Sequence, residues 1–177
     1  QKSKVNSQIL FGIVQGGEYE NLRRASSRAI GKMAFDGFGI GGSFGNKTEK
    51  QFSKTLGWAL ARLPKEKPRH LLGIGGVADI KQAVAQGIDI FDCVLPTRAG
   101  RNGTALTTQG NLNLKTGRFL TDKKAIEKNC GCFTCQNHSR AYLTHLFRAN
   151  EMLGPILATI HNLFFMEQLM KTIREKI

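Results

Sequence analysis

The sequence predicts an α/β fold with a parallel sheet, and three observations predict it. A short β-rich run, a glycine-rich break and an amphipathic helical stretch recur in that order along the first half of the chain, the rhythm of βα units. Three of the strand-like runs end in glycine pairs, Gly16-Gly17, Gly41-Gly42 and Gly75-Gly76, where tight strand-to-helix turns belong. At 177 residues and 41% hydrophobic content the chain can bury a real core. Four such units make half of a (β/α)8 TIM barrel.

The elements follow in order. Residues 9–14 form a first strand, and a helical stretch runs on through Ala34. A strand at 38–40 leads to a helix over 48–63, bounded by the segment from Pro64 to Pro68. A strand at 70–74 precedes a short helix ending near Gln86, and 88–92 is the fourth strand. After Pro96 the texture changes, so residues 1–96 are assigned to the incomplete barrel and 97–177 to an appended subdomain. There a polar, basic loop from Thr97 to Asn102 precedes a hairpin over 103–115 that turns near Gln109-Gly110, followed by a cysteine loop. Helices are expected at 139–150 and 155–177, the second with Pro155 in its first turn. No internal duplication or low-complexity tract accompanies the βα rhythm.

Charge bounds the partners. Lys and Arg number 26 against 13 Asp and Glu, a formal net charge of +13, with an isoelectric point near 10.0. Nine basic residues (Arg98, Arg101, Lys115, Arg118, Lys123, Lys124, Lys128, Arg140, Arg148) face two acidic ones (Asp122, Glu127) between positions 98 and 148. A polyanion such as RNA fits that excess, because phosphates bind Lys and Arg with release of counterions. No segment reaches the length of a membrane span, no signal peptide opens the chain, and no basic helix carries a large apolar face, so no membrane partner is expected. The chain begins with Gln1 rather than Met, and an upstream segment is expected.

Cys130, Cys132 and Cys135 lie within six residues. Three clustered thiols with Cys93 standing apart suit a reduced, cytoplasmic protein better than a disulfide framework. Thiolates at this spacing converge on one ion, and three of them with one imidazole form a closed structural Zn2+ site with no open position for substrate. His70, His138, His145 and His161 are the available fourth ligands. His138 would complete a local knuckle; His161, beside the helical stripe Leu157, Ile160, Leu163 and Phe164, would tie a helix to the loop, unless it is simply a packed core histidine. Spacing alone leaves His138 and His161 open.

Barrel chemistry sits at the carboxyl ends of the strands. Those ends are Gln15, Gly41-Gly42, Gly75-Gly76 and Asp92. Asp92 is a candidate reacting carboxylate, with a turn-capping role as the alternative. Gly73-Ile-Gly75-Gly76 followed by Asp92 loosely imitates a dinucleotide fingerprint, but the helix between them is short and the other strands end in similar glycines.

Taken together, Phe11-Gly-Ile-Val-Gln-Gly-Gly17, Asp36-Gly-Phe-Gly-Ile-Gly-Gly42, Phe91-Asp-Cys-Val-Leu-Pro-Thr-Arg98 running on to Arg101-Asn-Gly103, the three cysteines, Ser139-Arg-Ala-Tyr142 and His161-Asn162 resemble the tRNA-guanine transglycosylases of bacterial type, enzymes of the queuosine pathway. The resemblance covers nearly the whole chain and implies its C-terminal portion in that family. It implies Asp92 as the nucleophile that forms a covalent bond to the ribose of tRNA. Gln15, Gly41, Gly42 and Ser43 would bind the base, Arg98 and Arg101 would meet RNA, and Cys130, Cys132, Cys135 and His161 would ligate one structural Zn2+. The incoming base would be a 7-deazaguanine, 7-aminomethyl-7-deazaguanine for the bacterial type, and the full-length protein would be a homodimer. The segment Gly41-Gly-Ser-Phe-Gly-Asn46 departs from the family's Gly-Gly-Leu and its following glutamate, and Gly73-Ile-Gly-Gly-Val77 departs from the usual Gly-x-Gly continued by Lys or Thr and Pro.

The family's other barrel half, which bears the general acid/base aspartate, has no counterpart in these residues. Since such help commonly supplies about 10² to 10⁴ in rate, the segment alone is expected to be inactive. A noncatalytic, zinc-stapled RNA-binding or partner subunit is the alternative; retention of Asp92 and Gln15 favours the enzyme.

Overall fold

The computed structural model describes residues 8–42, 44 and 48–176. The chain divides into two compact units, Gln1–Cys93 and Val94–Ile177.

The first unit is α/β. Four strands, β1 (Phe11–Val14), β2 (Gly37–Ile40), β3 (Arg69–Leu71) and β4 (Ile90–Phe91), pair in parallel in sequence order. Between them run α1 (Glu20–Gly31), α2 (Glu49–Leu60) and α3 (Val77–Ala85). The register sets Phe11 opposite Gly37, Ile13 opposite Gly39, Gly39 opposite His70, and His70 opposite Ile90. Because side chains alternate across a strand, these residues share one face. The opposite face carries Val14, Phe38, Ile40 and Leu71, which build the core with Phe52, Leu56 and Ala59 of α2.

Local chemistry explains the boundaries. Thr48 caps α2 by accepting from the Gln51 amide while the Gln51 side chain accepts from the Thr48 amide, a reciprocal capping box. β2 is buried along its whole length, and its alternate glycines are required: a Cβ on Gly37 would lie 2.5 Å from the Phe11 ring, and one on Gly39 2.5 Å from Ile13 Cδ1. The strands are shorter than the apolar runs suggest. Ile88, expected in the fourth strand, instead packs in the core, its amide closing the end of α3 through Ala83 O.

The second unit holds α4 (Leu95–Arg101), a two-stranded antiparallel pair β5 (Thr104–Ala105) and β6 (Leu112–Asn113), α5 (Phe133–Asn137), α6 (Arg140–Arg148) and α7 (Leu153–Arg174). Its core includes Leu114, Ile126, Leu143, Leu146 and Leu157. The expected hairpin is present, with Gly110 at φ 109° in its connection. The expected loop at 97–102 is corrected: most of it is α4. Pro96 stands in the first turn, where no helical N–H is lost, and Gly100 lets α4 close on α7, since a Cβ there would lie 2.6 Å from Thr159 Oγ1.

Candidate functional site

Two clusters of chemical side chains are assembled, one in each unit. At the carboxyl end of the sheet in the first unit, Asp92 follows β4 on the same face as His70, since it lies two residues beyond Ile90, His70's partner. The Asp92 side chain is 60% exposed and His70's 25%. Asp92 Oδ1 accepts from His70 Nε2 at 2.8 Å and from the Gly73 amide at 3.1 Å. Gly73 has φ +73° with nothing near the position of a Cβ, so its requirement is conformational. Gly75 is different: a Cβ there would lie 2.6 Å from Cys93 Sγ. Gly73 and Gly75 therefore serve the Asp92–Cys93 turn, which accounts for them without a dinucleotide.

Gln15 extends β1 on the same face. Its side chain lies over the Gly41 backbone, 2.6 Å from where a Cβ would stand, and Gly42 adopts φ +99°. Arg23, wholly buried, ties these turns together by donating to Gly17 O at 2.7 Å and Gly41 O at 3.1 Å, and stacks on Phe44 at 4.6 Å. Burial lowers the pKa of its guanidinium, which the neighbouring Glu18 partly offsets. Residue type alone does not reveal Arg23, because its partners are backbone carbonyls, six and eighteen residues away. The sheet sets Gln15 at the end of β1 beside Gly41 and Gly42 at the end of β2, while Asp92 follows β4, three inter-strand gaps of about 4.8 Å from β1 and two from β2. Ser43 lies outside the described residues.

In the second unit Cys130, Cys132, Cys135 and His161 offer donor atoms all within 4.8 Å of one another. His161 Nδ1 lies 3.8, 3.5 and 3.4 Å from the three sulfurs in that order. A tetrahedral Zn2+ with ordinary bond lengths sets S and N about 3.5 Å apart, so the donor set fits a metal ion. His161 Nε2–H donates to Leu106 O at 2.8 Å, which leaves Nδ1 with its lone pair for the ion and orients the ring. The hydrogen bond from Cys135 pulls Cys132 down to about 4, the same bond together with burial pushes Cys135 up, and burial raises Cys130.

The cluster is anchored through the neighbouring residue. Buried Asn162 accepts from the Leu106 amide at 2.8 Å and donates to Pro96 O and Thr104 O, each at 2.9 Å. One side chain thus joins α4, β5 and α7, a role that the His161-Asn162 motif alone does not reveal. His138 stands outside the cluster and stacks on Tyr142, centroids 5.2 Å apart; His145 is exposed on α6. Arg98 and Arg101 are exposed one turn apart on α4.

The family model described as queuine tRNA-ribosyltransferase matches residues 1–177. The chain belongs to this family. It is 45% identical over 172 residues to the queuine tRNA-ribosyltransferase of Streptococcus agalactiae serotype Ia, covering 97% of this chain and 45% of that protein. The queuine tRNA-ribosyltransferase of Zymomonas mobilis is 44% identical over 177 residues, covering 100% of this chain and 46% of that protein. That of Thermoanaerobacter pseudethanolicus is 45% identical over 170 residues, with 96% and 45% covered. The chain therefore spans less than half the length of these family members. Among the described residues no helix is long and apolar enough to cross a membrane.

Proposed function

We propose that this chain carries the nucleophile and the base-reading residues of a tRNA-guanine transglycosylase, which replaces guanine at the wobble position of tRNA with a 7-deazaguanine queuosine precursor, 7-aminomethyl-7-deazaguanine for the bacterial type. The observation that carries it is Asp92: an exposed carboxylate at a strand's carboxyl end, one oxygen held by two donors, in a chain matched from end to end by the family. An Asp92 oxygen lone pair forms a bond to the ribose anomeric carbon as the carbon–nitrogen bond to guanine breaks. That electron pair leaves with the base, which takes a proton from a carboxylic acid outside the described residues. The deazaguanine then attacks the same carbon with its ring nitrogen, gives its proton to that group, and releases Asp92. Two displacements retain configuration, as in retaining glycosidases.

Gln15 would pair its amide with the guanine edge as donor and acceptor, and the backbone at Gly41, Gly42 and Ser43 would read the remaining groups. Arg98 and Arg101 would meet RNA phosphates, in keeping with the +13 charge. Zn2+ on Cys130, Cys132, Cys135 and His161 would be structural. The four-stranded parallel sheet is read as the C-terminal half of a (β/α)8 barrel, with Ile13 and Ile90, 43% and 40% exposed on the face that bears Asp92, as part of the interior of the closed barrel. The rest of the enzyme, including the proton-transferring carboxyl group, would come from the part of the family members this chain does not cover, so the chain alone would be inactive. The complete enzyme is proposed as a cytoplasmic homodimer. The alternative is a noncatalytic RNA-binding or partner subunit; such a subunit has no use for a carboxylate held as Asp92 is.

The test is guanine exchange into tRNA by the complete gene product. Asp92→Asn is expected to lower exchange at least about 10³-fold with tRNA affinity preserved. Unchanged exchange would remove Asp92 as nucleophile.

A further inference from the structure

His70 is the hydrogen-bond partner of Asp92 contributed by a neighbouring strand, and no step described above uses it. Resting on the assignment of Asp92 as nucleophile, we propose that His70 is a positioning residue that, with the Gly73 amide, holds Oδ1 of Asp92 so that Oδ2 is the oxygen presented to the anomeric carbon.

The geometry is specific. Both donors fall on Oδ1, at 2.8 and 3.1 Å, and among the described residues Oδ2 has no hydrogen-bond partner. A carboxylate only accepts, so His70 donates through Nε2–H. A free carboxylate turns about its last torsion through a broad range; two donors on one oxygen fix its plane. Both come from β3 and the turn that leaves it, and the parallel register of His70 with Ile90 brings the ring to Asp92's side of the sheet. The ring is three-quarters buried, whereas the carboxylate is 60% exposed. A largely buried donor thus steadies an acid that remains open to a ligand. With Nε2–H committed to the nucleophile, His70 is not placed to carry a proton to or from the base.

Rates of covalent adduct formation between the complete gene product and a guanosine-containing tRNA test the assignment. His70→Phe keeps the ring and removes the donor; adduct formation is expected to slow on the order of 10²-fold, as loss of attack geometry does, with KM for tRNA essentially unchanged. His70→Gln offers an N–H at similar reach and is expected to recover most of that loss. Adduct formation at the parent rate in His70→Phe overturns the proposal, as does a folded His70→Gln that is as slow as His70→Phe. Should His70→Phe not fold, His70→Asn, whose shorter amide falls short of Oδ1, replaces it in the comparison with His70→Gln. Asp92→Asn separates the two levels: if it still exchanges, the nucleophile assignment fails and this one with it. If it is inactive while His70→Phe reacts normally, only the role of His70 fails.

Discussion

The Asp92 side chain is 60% exposed and takes both of its hydrogen bonds on one oxygen, whereas His161 is wholly buried with one ring nitrogen on Leu106 O and the other facing three sulfurs. A group that must react needs a free lone pair and room for a partner; a group that must hold needs neither. The same contrast extends to the surroundings. Glycine turns, one backbone amide and His70 frame Asp92, while a buried asparagine with three bonds stands behind His161. The two clusters should therefore fail differently when altered, one in chemistry and one in stability.

The largest expected effect lies at the buried cluster. Structural zinc contributes about 10–16 kcal/mol in small zinc peptides at neutral pH, so Cys132→Ala is expected to lose bound metal and the hydrogen-exchange protection of α5 and the adjoining part of α7. Full metal content by elemental analysis would show that the four donors are not the site. Next, Asn162→Ala strands the buried Leu106 amide and Pro96 carbonyl, each orphan costing about 1–3 kcal/mol, and frees the part-buried Thr104 carbonyl. A drop of about 2–6 kcal/mol in denaturant unfolding is expected, and a change under about 1 kcal/mol would contradict the anchoring role. Gly100→Val drives a side chain into Thr159 of α7 and is expected to cost about 1–3 kcal/mol, read from the same unfolding curves. The smallest stability effect belongs to Asp92→Asn: at an exposed site it should stay within about 0.5 kcal/mol while exchange is lost. A large destabilisation there would erase the contrast between the clusters.

Much of this was legible in the residues. The βα rhythm placed four strands, and glycine pairs marked their ends, because close backbone approach leaves few alternatives to glycine. The cysteine spacing pointed to a metal cluster. The fourth donor could not be chosen from spacing, since His138 and His161 differ only in what the chain does after Cys135; folding puts His138 on Tyr142 and His161 on the sulfurs. Helix α4 was hidden by Pro96 and Gly100, residues that usually break helices but here serve a first turn and a close helix contact. In the sequence His70 offers itself only as a metal ligand, because its bond to Asp92 depends on the register of β3 with β4, which periodicity does not fix. Arg23 and Asn162 act on backbone groups distant in sequence, and backbone partners leave no mark in residue type.

The most direct measurement is the intact mass of the complete gene product after reaction with a guanosine-containing tRNA in the absence of an incoming base, followed by mapping of the adduct. The account predicts a denaturation-stable RNA adduct on the peptide containing Asp92, absent in Asp92→Asn. Exchange without an adduct, or an adduct on another residue, would contradict it.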